Sequence, residues 1–255
     1  MERVLYKNNP LIEVIIQVKF PKILLLNKDD PIEFQEMIRK DFPIYQLTIE
    51  HEQELSININ SETALPTIVN NNSIKNHNFI SADGKYKINL TSGFISISTV
   101  DYTRWEEFFR KFICVLEKFE KIYMPPFYER IGLRYIDAFS RKKLNIQGKS
   151  WKDLISSTWL GAFAFVTEED VINTGIDVEY QLSDKISRAK IHAGLGNINN
   201  DTENVFIVDS DFIHINNTST TDSKKILEYL HGNAKDFIHS VIKEELHLAM
   251  QPEKI

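Results

Sequence analysis

Ile88-Asn89-Leu90-Thr91-Ser92-Gly93-Phe94-Ile95-Ser96-Ile97 and Phe206-Ile207-Val208-Asp209-Ser210-Asp211-Phe212-Ile213-His214-Ile215 stand 118 residues apart and pair without a gap. Both interleave large apolar side chains with small or polar ones, the pattern of a half-buried strand. The same spacing continues behind them, placing Phe108 on Ile226, Phe109 on Leu227, Phe112 on Leu230, Leu116 on Ala234, Phe119 on Phe237 and Tyr123 on Val241. Steps of three and four residues mark each set as the apolar stripe of an amphipathic helix. At a spacing of 119, Val14, Ile16 and Phe20 fall on Leu133, Tyr135 and Phe139, so each half also opens on a comparable strand. Short helical patterns follow at Ile32 to Lys40 and at Trp151 to Ser157.

The chain therefore reads as α+β, with two pseudo-repeated β-α-β4-α units at 1–125 and 126–255 that form antiparallel sheets and one compact fold. The first long helix is expected from Thr103 to Tyr123, opened by Thr103 and Glu106 at capping-box spacing and stopped by Pro125-Pro126. The second is expected from Asp222 to Met250, kinked at Gly232-Asn233. Turn residues stand at Asp83-Gly84, at Ser183-Asp184, and at Gly194-Leu195-Gly196-Asn197 running into Asn199-Asn200-Asp201. A unit of this order covers one sheet face with its helix and leaves the other open or paired. The order resembles the TATA-binding-protein-like fold, in which two such units form a saddle, and that likeness concerns topology alone.

Composition narrows the function classes. Of 255 residues, 42% are hydrophobic and 26% charged, enough for a sizeable core. No stretch approaches the roughly 20 apolar residues of a membrane-spanning helix. Met1-Glu2-Arg3-Val4-Leu5-Tyr6-Lys7 lacks the apolar core of a secretory leader, and a single cysteine, Cys114, can form no internal disulfide, so a cytoplasmic protein is expected. A net charge of −6 disfavours binding along a phosphate backbone.

The chain holds no Gly-x-x-x-x-Gly-Lys loop, Gly-x-Gly-x-x-Gly, Gly-x-Ser-x-Gly or His-Glu-x-x-His. Gly194-Leu195-Gly196 reads as a hairpin turn. Asp209 and Asp211 point to one side of their strand, but hard cations need further oxygen ligands that the sequence does not identify, so no metal is expected. Their counterparts Thr91 and Gly93 carry no charge, which reads the pair as a turn or strand edge. His231, His239 and His247 drift around a single helix and read as solvated or cap-region histidines. Cys114, opposite Trp105 on its helix, reads as an inert thiol. No cofactor is expected.

The candidate site is a sheet face. With Ile131, Leu133 and Tyr135 facing the core, Arg130 and Arg134 share the other side of their strand with Gly132 between them, and Glu13 and Gln17 take the comparable side of the first strand. The same alternation adds Lys85, Lys87, Arg188, Lys190, His192 and His214. The result is a polar groove of mixed charge, either ligand-binding through arginines suited to carboxylate or phosphate, or structural through a Glu13–Arg134 ion pair. The ligand-binding candidates are Arg130, Arg134, Glu13, Lys190, His192 and His214.

Asn9-Pro10-Leu11-Ile12-Glu13-Val14, Arg130-Ile131-Gly132-Leu133-Arg134-Tyr135 and Val208-Asp209-Ser210-Asp211 together resemble a sporadically distributed, uncharacterised family of bacterial and archaeal proteins, with length and motif order agreeing over nearly the whole chain. The resemblance implies no reaction or catalytic residue. It implies an accessory role, such as a component of a mobile defence or toxin-antitoxin-type locus. The expectation is a non-catalytic recognition protein with a protein partner. The alternatives are an enzyme or sensor holding a small anionic ligand on the open face, and nucleic-acid binding by a saddle-like sheet.

Overall fold

The computed structural model describes residues 4–56, 67–198 and 203–254. Strands β1 (Val4–Tyr6) and β2 (Leu11–Lys19) lead into short helices α1 (Leu25–Lys28) and α2 (Ile32–Ile38). Then come β3 (Ile44–Ser56), β4 (Thr67–Ile80), β5 (Tyr86–Leu90), β6 (Phe94–Thr99) and the long helix α3 (Trp105–Tyr123). The chain continues through β7 (Tyr128–Phe139), α4 (Trp151–Leu154), α5 (Ser157–Leu160), β8 (Gly175–Gln181), β9 (Ser187–Gly196) and β10 (Val205–Thr218). It closes with the long helix α6 (Ser223–Val241), α7 (Glu244–Ala249) and β11 (Pro252–Lys254).

The fold is α+β with an antiparallel sheet. Among the described residues nine strands run in the order β3-β4-β5-β6-β2-β7-β10-β9-β8, and β1 pairs with β11 apart from them. At the centre β2 meets β7 in antiparallel register, with Val14 opposite Tyr135, Ile16 opposite Leu133 and Val18 opposite Ile131. All six side chains are buried, because period-2 alternation sends them to the one face that the helices cover. Phe206, Val208 and Phe212 of β10 and Ala189, Ile191 and Ala193 of β9 continue that apolar layer. On it α3 seats Phe119 against Phe20 and Phe34, while α6 lies over β7 and β10. No helix among the described residues is long and apolar enough to cross a membrane.

Several local expectations change. Helix α3 starts at Trp105 with no side-chain cap, because its N-cap is Arg104, which has no acceptor to offer, while the Thr103 hydroxyl one residue further out donates to the Glu107 carboxylate at 3.0 Å. Helix α6 runs through Gly232 without interruption and ends at Val241. There Ile242 turns extended to bridge Ile155, while the Ser156 N–H donates to the Val241 carbonyl and the Lys243 N–H to the Leu154 carbonyl, both at 2.8 Å. Those bonds replace the helical ones that a continuous helix would make, so α7 leaves in a new direction. The segment 88–97 turns at Thr91-Ser92-Gly93 to make two strands, whereas 206–215 runs on as one. Among the described residues three strands, not four, lie between α5 and α6, because 161–174 forms 3-10 turns and loop. Gly194 and Gly196 belong to the end of β9, where Gly194 leaves room for the Thr174 carbonyl. The Asn199-Asn200-Asp201 turn lies outside the described residues.

Phe112 is fully buried at the middle of the α3 stripe. Replacing it by Ala should lower stability by about 3 to 5 kcal/mol in urea unfolding, the usual cost of deleting a buried ring.

Candidate functional site

The sheet face away from the helices carries the arginines expected there. The Arg130 side chain lies back along β7 over Gly132, where an added Cβ would come within 2.6 Å of its Nη1. From that position Nη1 donates to Gln17 Oε1 and Nη2 to Asp211 Oδ2, each at 2.8 Å. Arg134 grips Asp209 with two parallel bonds, Nε to Oδ1 at 2.6 Å and Nη2 to Oδ2. Both pairs are diagonal across the β7–β10 ladder, since Asp211 stands directly opposite Arg134 and Asp209 opposite Ile136. Asp209 and Asp211 are therefore ion-pair partners in mid-strand, and the bidentate partner of Arg134 is Asp209 instead of Glu13. Glu13, opposite Ile136 on β2, reaches Arg134 only as a weaker charge. Burial raises the Asp211 pKa although Arg130 and Arg134 pull it down, while its bond to Asp209 leads in raising that of Arg134.

The rest of this face is likewise cross-linked. His192 Nδ1 shares a 2.9 Å hydrogen bond with Asp177, and Arg188 donates to Glu179 at 2.8 Å. Lys190 stands exposed opposite Glu179. Towards the other edge, the Asn89 amide donates to Asn78 at 2.6 Å and to Asn76 at 3.2 Å. His214 does not join the face. It stands two residues beyond Phe212 and so on the helix side, 5% exposed, sharing a 2.8 Å bond with Ser187. The Ser187 hydroxyl donates to Asp184 at 2.6 Å, so its proton is committed to a carboxylate and Ser187 is not primed by His214 as a nucleophile. Burial alone would raise Asp184, but the hydrogen bonds from the Ser187 hydroxyl and from the Ser187 and Ile186 N–H groups hold it below the usual range. This cluster fastens the β8–β9 hairpin to β10.

A second group of polar residues gathers on the helix side. A cavity of about 150 Å³ is bounded by β1, the start of β2, the entry to α3, the end of β7 and one flank of α6. Asp137 lines it, at the next core-facing position after Ile131, Leu133 and Tyr135. It is 5% exposed, and among the described residues nothing donates a hydrogen bond to its carboxylate. Burial pushes its pKa up to about 7. Around it are Tyr6, Tyr102, Trp105, Tyr135 and His231. His231 stacks on the Trp105 indole at 4.2 Å and shares a 2.9 Å bond with the Tyr135 hydroxyl. The indole N–H donates to Glu228 at 3.0 Å, and Tyr6 shares a 2.8 Å bond with His247. Burial, reinforced by Asp137 and Glu244, pushes the Tyr6 phenol up to about 12. Burial lowers His239, with His247 and Lys235 adding to the effect.

The three histidines expected in solvent thus serve the helix side. The break at Ile242 folds α7 back so that His247 comes within 6.4 Å of His239, which spacing along one unbroken helix would not allow. A carboxylate two places beyond Tyr135 in an apolar alternation is an anomaly that the sequence displays. Chemically the cavity offers a buried acid that titrates near neutral pH, surrounded by rings. No protein-family model matches the chain, and no curated protein matches it at a significant level.

Two outcomes follow from these geometries. Gly132→Ala should displace the Arg130 guanidinium and cost about 1 to 3 kcal/mol through the Asp211 carboxylate left without it. In an Arg130→Met background the same substitution should cost far less, which a double-mutant cycle reads directly. For Asp137 the folded pKa lies above the unfolded value of 3.8. The folded protein therefore holds a proton that the unfolded chain has released, and stability falls as pH rises from about 4 through 7. Asp137→Asn should accordingly be more stable than the parent by about 1 to 4 kcal/mol at pH 8, with the gain vanishing near pH 4 in urea unfolding.

Proposed function

We propose that this protein binds a small molecule in the cavity bounded by β1, α3, β7 and α6, and that Asp137 is the anchor of the bound ligand. One observation carries the reading: a carboxylate buried on the core side of the central sheet, bordering a cavity, with no hydrogen bond from the described residues. An unpaired buried charge is costly, and a fold that only needed an apolar core would place Leu or Val there. Convergent polar groups in a mostly apolar pocket, one with a perturbed pKa, are the usual signature of a ligand site. The cavity has the volume that in an apolar interior holds a benzene-sized guest. The small-ligand reading thereby moves from the sheet face, where Arg130 and Arg134 are already neutralised, to the helix side.

A second reading, recognition of a protein partner across the open sheet face, is supported by the fixed Gln17–Arg130–Asp211 and Arg134–Asp209 array over the central strands. Phosphate groups would have to displace Asp209 and Asp211 from the same arginines, and the net charge of −6 opposes their approach, so the favoured partner is protein and not nucleic acid. The architecture accords with an internal duplication and a saddle-like order. Helices α3 and α6 are both 19 residues long and begin 118 residues apart. Strands β2 and β7 are neighbours at the centre, and each half adds its remaining strands outward from that pair.

The cavity reading is tested by titrating small fragments of neutral, cationic and anionic type into ¹⁵N-labelled protein and following the indole N–H of Trp105. At least one type should shift it saturably, and Ala234→Leu, which fills the cavity from α6, should abolish the shift. Shifts confined to other regions, or binding indifferent to Ala234→Leu, would overturn the assignment.

A further inference from the structure

We infer that the ligand of this cavity is a small organic cation, an amine whose ammonium group meets the Asp137 carboxylate and whose apolar body lies among the surrounding rings. The inference rests on the cavity being a ligand site and adds its chemical class. A carboxylate 5% exposed, with no donor to it among the described residues, lacks both a counter-charge and hydrogen bonds, and an ammonium supplies both in one group. Neither cation that lines the cavity fills that role. The Arg104 Nε donates to Glu106 at 3.1 Å, and Lys235 on α6 forms no ion pair with Asp137. Burial is the cause of the raised Asp137 pKa, as expected where no cation among the described residues stands close.

The surroundings favour the same class. Tyr6, Tyr102 and Tyr135 line the cavity with aromatic rings, a kind of surface that attracts cations. An anion would meet Asp137, with Glu106 also lining the cavity and Glu228 held beside it by the Trp105 indole. The titratable and charged groups facing the site are Tyr6 from β1, Tyr102 and Arg104 before α3, Glu106 from α3, Tyr135 from β7, and His231, Lys235 and His239 from α6. Burial, with His247 and Lys235, lowers the His239 pKa and so disfavours a positive charge there.

Three probes of one shape separate the possibilities: benzylammonium, benzyl alcohol and benzoate, each titrated at pH 8 against the parent and Asp137→Asn, with the Trp105 indole N–H as reporter. Benzylammonium should bind at least about tenfold more tightly than the alcohol, an ion pair against a hydrogen bond from an uncharged donor, and benzoate most weakly. Asp137→Asn should bring the cation down to the level of the alcohol and weaken the alcohol much less than the cation. Binding of the cation to the parent should weaken by roughly tenfold per pH unit below 7 as Asp137 takes up its proton, and this dependence should be missing in Asp137→Asn. A residual dependence in the variant would assign the effect to His231 or His239 and overturn the role of Asp137. If the alcohol or benzoate binds as well as the cation, the ligand class is wrong while the cavity reading stands. If none of the probes moves the indole signal but other fragments do so in an Ala234→Leu-sensitive way, the class again falls alone. If nothing moves it, both fall.

Discussion

The antiparallel pairing of β2 with β7 is the contact on which the remaining geometry depends. It places Val14, Ile16 and Val18 against Tyr135, Leu133 and Ile131, six buried side chains at the middle of a nine-stranded sheet. Because side chains alternate along a strand, this register decides at once what every other residue of β7 faces. A slip by one residue would bury Arg130 and Arg134 under the helices and expose Leu133 and Tyr135. The apolar layer is thus what holds the arginines on the open side, and the same alternation carries Asp137 to the covered side.

The two faces solve the problem of charge differently. On the open face Arg130, Arg134, Asp209 and Asp211 neutralise one another, and Gly132 provides the flat backbone over which the Arg130 guanidinium can reach β2 and β10 together. Such partly exposed pairs contribute modestly to stability, and their larger effect is to order the side chains of the face. On the covered face Asp137 has no such partner among the described residues. Its proton affinity rises until it is half-protonated near pH 7, which relieves the cost of the charge without removing it.

That contrast locates the functional hypothesis. Polar groups that satisfy one another close a surface, whereas one left unsatisfied beside a cavity invites an outside partner. The stack of Trp105 on His231 and the Tyr135–His231 bond hold the cavity wall from three separate elements, α3, α6 and β7, so its shape depends on how both long helices sit on the sheet.

By itself the sequence determined the elements whose signals are local. The stripes from Phe108 to Tyr123 and from Ile226 to Val241 mark the two long helices, and the alternation through Ile131, Leu133 and Tyr135 puts Arg130 and Arg134 on one face, because helical and strand periods are written in neighbouring residues. It also displayed Asp137 at a core-facing position of that alternation. Only the tertiary structure decided which charges meet. Arg134 chose Asp209 over Glu13 because β10, not β2, brings a carboxylate to the reach of its fork, and sequence does not state which strand lies on which side. His214 stood on the helix side already by its two-residue step from Phe212, whereas His247 returned towards His239 only because Ile242 left the helix to bridge Ile155. The cavity around Asp137 draws on β1, β7, α3 and α6, segments more than a hundred residues apart at their extremes, and long-range packing of that kind leaves no local periodicity to read.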